Sequence, residues 1–120
     1  MGPRSLPPCP SSPNCVSTQA QDERHAIAPI PYRKPRAAAK ETLKELIRSL
    51  PRTRLVEEDD SYIHYEFTSL VFRFVDDVEF LFDDEAMTIH FRSASRTGYG
   101  DFGVNRRRME AIRSQILGTI

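Results

Sequence analysis

The chain has 120 residues, enough for one domain that buries roughly two-thirds of the surface its unfolded form exposes. Seventeen Lys and Arg balance seventeen Asp and Glu and the sequence pI is about 6.8, so no net field steers the molecule toward nucleic acid or an anionic membrane. The apolar runs are far shorter than the roughly 20 residues needed to cross a bilayer, and residues 1–10 lack the apolar core of a signal peptide. A soluble chain is expected, with no membrane insertion by this segment, no nucleic-acid partner, and no targeting segment that would assign a compartment.

Residues 1–36 carry eight of the nine prolines and show neither helical nor strand periodicity, which favours extended and turn backbone. They read as an irregular leader, packed on or tethered to an α+β domain over 37–120, with Val16, Ile27, Ile30 and Tyr32 as its apolar anchors. Cys9 and Cys15, six positions apart, close a small disulfide in an oxidising compartment or remain two thiols in a reducing one. Two cysteines, even with His25 as a third ligand, fall short of the four ligands of a structural zinc site. No metal or other cofactor is expected.

From Ala38 onward Ala39, Leu43, Leu46, Ile47 and Leu50 recur at helical offsets, with Lys40, Glu41, Lys44, Glu45 and Arg48 opposite. Pro51 ends this helix near Ser49 or Leu50. A short strand follows over 53–58, then a turn at Asp59-Asp60-Ser61. The next strand, Tyr62 to Thr68, turns Ile63, Tyr65 and Phe67 inward. A long strand from Val71 to Phe82 places Phe72, Phe74, Val78, Phe80 and Phe82 on one face, and a last strand carries Met87, Ile89 and Phe91. The closing helix runs from Val104 to Leu117, stopped by Gly118. The fold class is therefore two-layer α+β: a four-stranded antiparallel meander covered by an N-terminal and a C-terminal helix.

Asp76 shares parity with Phe74, Val78 and Phe80 and so points toward the helix-covered side. An ionised carboxylate there needs a partner, with Arg92, Arg96 and Arg106 as candidates, or a bulge that turns it outward. Asp77 and Glu79 fall on the opposite face with Arg73. His64 and His90 also alternate away from the apolar face and become cross-strand neighbours if their strands pair. Arg92 through Arg108 form a glycine-bearing loop that ends at a helix start. Arg106, Arg107 and Arg108 add positive charge to an end that already carries it, so something negative belongs nearby. Either Asp76, Asp77, Glu79 and Asp101 staple the helix to the sheet, or a phosphate, carboxylate or acidic partner supplies the charge.

Three blocks, Ser12-Pro13-Asn14-Cys15-Val16-Ser17, Phe74-Val75-Asp76-Asp77-Val78-Glu79-Phe80, and Arg92-Ser93-Ala94-Ser95-Arg96 through Gly98-Tyr99 to Gly103-Val104-Asn105-Arg106, resemble the signature blocks of the domain of unknown function 1499 family. The resemblance covers roughly Cys9 to Leu117. It implies bacterial and photosynthetic-eukaryote members, often with an export, membrane or plastid segment ahead of the domain, and it supplies no activity. It singles out Asn14, Cys15, Asp76, Asp77, Glu79, Arg92, Ser93, Ser95, Arg96, Asp101, Asn105 and Arg106, a mostly polar set that apolar packing alone would not select.

The preferred functional reading is a non-enzymatic binding module in which Arg92, Arg96 and Arg106 offer forked donors to a small anionic ligand or an acidic protein partner. The second is a hydrolase-like or metal-dependent enzyme using Asp76, Asp77 and Glu79, with Ser95 or Cys15 as nucleophile. The third is a structural or assembly protein in which the polar residues form an internal salt-bridge network and the face bearing Tyr62, His64, Thr88 and His90 meets another chain. The residues leave the oligomeric state open, and the reading leans against an enzyme.

Overall fold

The computed structural model describes residues 5–120; the first four residues of the proline-rich leader lie outside the described part. Two short strands open the chain, β1 (Cys15–Ser17) and β2 (Ile30–Pro31). They are followed by α1 (Arg36–Arg48), β3 (Thr53–Glu58), β4 (Tyr62–Thr68), β5 (Val75–Asp83), β6 (Thr88–Ser95) and α2 (Val104–Ile116). The class is α+β, but among the described residues the sheet has six strands rather than four, and α1 is preceded by two of them. The sheet order is β1-β6-β5-β4-β3, with β2 also on β6. The leader supplies a broken edge strand: Cys15 pairs with Ala94 and Ser17 with Arg92, while further along Ile30 pairs with Ile89. Strands this short, interrupted by prolines, carry no period-two signal, so only pairing with β6 reveals them.

Alternation over β4, β5 and β6 turns Ile63, Tyr65, Phe67, Val78, Phe80, Phe82, Ile89 and Phe91 onto one face. There Ala39, Leu43 and Ile47 of α1 and Met109, Ile112 and Ile116 of α2 close a single core with Val16, Ile27, Ile30 and Tyr32 of the leader. Both helices thus cover the same side of the sheet, and the opposite side stays polar. Pro35 sits just ahead of the first turn of α1 and Pro51 follows its end, consistent with proline's tolerance at a helix start and its exclusion from the interior.

The long strand begins four residues later than its apolar pattern suggests. The β4–β5 pairing ends at Thr68 with Val75, and the intervening loop is closed by Ser69 N–H to Phe74 O and Phe74 N–H to Ser69 Oγ, both at 2.9 Å. Arg73 lies in left-handed backbone at φ 58°, which breaks the alternation. Phe72 and Phe74, expected in the core, are instead exposed and stacked on each other. Met87, also expected inward, sits exposed in the turn before β6 at φ 51°. Among the described residues no helix is long and apolar enough to cross a membrane.

Candidate functional site

Antiparallel pairing brings the start of β5, the end of β6 and the start of β1 to one end of the sheet, and the β6–α2 connection delivers the N-terminus of α2 to the same end. The three sequence blocks therefore meet there. On the helix-covered side Asp76 is buried, as its parity requires, and its partner is Arg108: Arg108 Nη2 donates to Asp76 Oδ2 at 2.7 Å. None of Arg92, Arg96 and Arg106, the arginines expected to reach it, does so. Arg108 Nη1 also donates to Asn105 Oδ1 at 3.0 Å and to Ser93 Oγ at 3.2 Å, and the guanidinium lies 4.9 Å from the Phe67 ring centroid. Helical spacing carried the missed signal, because Arg108, Met109 and Ile112 follow Asn105 on the inward face of α2 at offsets of three, four and seven.

Asn105 is fully buried and joins the network at both ends of its amide. Its Oδ1 accepts from Ser93 Oγ at 2.6 Å, and its Nδ2 donates to Asp101 Oδ2 at 2.8 Å, to Ser95 Oγ at 3.0 Å and to Asn14 O at 3.3 Å. Asn14 in turn donates from Nδ2 to Gly98 O at 2.9 Å and accepts the Ser95 N–H at its own carbonyl at 3.0 Å. Asp101 caps the helix: its oxygens accept the N–H groups of Gly103 at 2.9 Å and Asn105 at 3.0 Å. Burial raises the Asp101 carboxyl, but these hydrogen bonds outweigh it and hold the group below its ordinary range. Gly103 holds φ 77°, left-handed backbone that favours glycine.

The opposite face carries a second set. Arg96 Nη2 donates to Asp77 Oδ1 at 2.7 Å and to Glu66 Oε2 at 2.8 Å, while His64 Nε2 lies 2.9 Å from Asp77 Oδ1. Burial raises the Asp77 carboxyl, and Arg96 and His64 more than offset it; the hydrogen bond from Arg96 lowers that of Glu66. Glu79 accepts from the Tyr62 hydroxyl at 2.5 Å and lies 3.6 Å from Arg92 Nη1. His90 faces Thr18 Oγ1 at 3.0 Å, not His64, because β5 separates their strands.

Asp76, Asp77 and Glu79 therefore do not converge: Asp76 faces the helices, the other two face away, and each is engaged by a different cation or hydroxyl. Among the described residues no group of three His, Cys, Asp or Glu side chains is placed to hold a metal ion. Cys15 is disulfide-bonded to Cys9, which removes it as a nucleophile. His25 lies against Asp22 at 2.6 Å and Ser12 O at 2.8 Å.

Arg106, unlike Arg92, Arg96 and Arg108, is held through backbone carbonyls and not through a carboxylate. Its Nη2 donates to the carbonyls of Arg24 at 3.0 Å and Ala26 at 2.9 Å, which orient the guanidinium without neutralising it. It lines an open cleft of about 330 Å³ with Pro13, Val16, Arg24, Gly100, Asp101, Phe102 and Gly103.

A family model described as "Protein of unknown function (DUF1499)" matches residues 5–116, nearly the whole chain. The chain belongs to the DUF1499 family. No curated protein and no solved structure matches it. The DUF1499 match spans the leader as well as the sheet and α2, and the network joins those same parts through Asn14, Asp76, Ser93 and Asn105.

Proposed function

We propose that this domain is a non-enzymatic binding module for a small anionic ligand or an acidic partner, received in the cleft between the leader and the glycine loop. The observation that carries this reading is Arg106. It is aimed by two neutral carbonyls, beside Arg24, and the one carboxylate of the cleft, Asp101, is engaged by the start of α2. A guanidinium oriented in this way presents its remaining donors as a fork for a phosphate or carboxylate. Asn14, Asp76, Ser93, Ser95 and Asn105 then form the internal frame that fixes the loop, while Asp77, Glu79, Arg92 and Arg96 brace the outer face. The saturation of that frame also favours a second reading, in which the polar residues are structural throughout.

Thermal unfolding in inorganic phosphate, sulfate and small dicarboxylates separates the two. A ligand specific for the folded state adds about 2.7 kcal/mol at a hundredfold excess over its Kd, several degrees in Tm for a domain of this size. The expected result is a rise in Tm that Arg24→Ala and Arg106→Ala abolish. Absence of any rise, or a rise unaffected by both substitutions, assigns these residues to the structural reading.

A further inference from the structure

The balanced charge of the chain conceals a segregation along the strands. The turns at 57–60 and 83–85, rich in Asp and Glu, lie at one end of the sheet. The other end holds the 69–74 loop, the glycine loop and the turn at 49–52. Residues 68–75 contain Arg73 and no carboxylate, Arg52 donates from Nε to Thr68 O beside that loop at 3.0 Å, and Arg106 and Arg107 stand at the start of α2. Much of the exposed apolar surface collects at this same end: Val71 is 76 % exposed, Phe72 74 % and Phe102 96 %, with Leu70 and Phe74 also exposed. The Phe72 and Phe74 rings stack with centroids 5.5 Å apart.

We infer that this end of the domain is a peripheral docking surface for an anionic phospholipid bilayer. The apolar side chains ride on projecting loops, with arginines beside them to meet headgroup phosphates. The acidic turns sit at the far end of the strands, and the carboxylates at this end are already engaged: Glu66 and Asp77 by Arg96, Asp76 by Arg108, and Asp101 by the start of α2. Such docking lies on the membrane and needs no spanning helix. It does not depend on the anion reading of the Arg24–Arg106 cleft.

The complete chain, with its disulfide intact, is sedimented with vesicles of phosphatidylcholine alone or of equal parts phosphatidylcholine and phosphatidylserine. The expected result is binding to the anionic vesicles that weakens as salt rises. Phe72→Ser with Phe74→Ser reduces it at least about tenfold with Tm unchanged, because both rings are already exposed. The chain has four tyrosines but no tryptophan, so Phe72→Trp supplies the one indole, excited selectively, whose emission shifts to the blue on the anionic vesicles. Absence of vesicle binding, binding indifferent to the serine pair, or a dimer in vesicle-free buffer that the serine pair dissolves overturns the proposal. Loss of the phosphate response with vesicle binding retained counts against the cleft alone.

Discussion

Arg108 of α2 reaches Asp76 of β5, Nη2 to Oδ2 at 2.7 Å, and this pair pins the start of the helix to the sheet. The side chains are 17 % and 10 % exposed, so each charge depends on the other. Removal of one partner strands the remaining charge in a site that water reaches poorly. Asp76→Ala is expected to cost about 3 to 5 kcal/mol in chemical denaturation, and Arg108→Ala a similar amount. The double variant should cost clearly less than the sum of the singles; strict additivity would show that the two side chains are not coupled.

Arg96 provides the contrast. It bridges Asp77 and Glu66 but is nearly half exposed, and solvent screens an ion pair of that kind. Arg96→Ala is expected to lower stability by less than about 1 kcal/mol. A loss comparable with that of Arg108→Ala would mean that the outer face also holds the fold.

Asn105 connects the helix, β6 and the leader through one amide. Asn105→Ala removes the acceptor of the buried Ser93 hydroxyl and the Nδ2 donor to Asp101, Ser95 and Asn14, and a loss of about 2 kcal/mol follows from the hydrogen bonds left unmade. Asn105→Asp should be no better, because it removes the Nδ2 donor and sets a second carboxylate against Asp101. Equilibrium unfolding of the two variants side by side checks this.

Acid sensitivity follows from Asp77, Glu66 and Asp101, all held below their ordinary values of 3.8 for Asp and 4.5 for Glu. A depressed carboxyl binds fewer protons folded than unfolded, so its contribution is present above the ordinary value and is lost as pH falls through the folded one. Tm should therefore be level near neutrality with respect to these groups and drop below about pH 4. Asp101→Ala should lower stability at neutral pH by the worth of a helix cap, about 1 kcal/mol, and make the acid limb of the Tm profile shallower. An unchanged acid limb would remove Asp101 from this account.

The Cys9–Cys15 bridge closes a short ring, with a sequence separation of 6, at the edge where Cys15 pairs with Ala94. Reduction is expected to cost about 2 kcal/mol and to loosen the leader ahead of β1. Hydrogen exchange should show lost protection at Cys15 to Ser17 before any loss in β4 or β5; uniform loss across the sheet would indicate global unfolding instead.

Periodicity in the sequence was enough to determine the two helices, strands β3 to β6 and the inward parity of Asp76, because 3.6-residue and two-residue patterns are local and survive without knowledge of neighbours. The three polar blocks are far apart in the sequence, and antiparallel pairing brings them to one end of the sheet. Helical spacing puts Arg108 on the inward face of α2, but only the tertiary structure decided that this face meets β5 where Asp76 lies. It also decided that β1 and β2 exist, because a strand of two or three residues is stable only on the edge that accepts it. The same holds for Phe72 and Phe74: their alternation matches a core strand, yet the partner strand ends at Thr68, and without a partner the apolar pattern became an exposed loop.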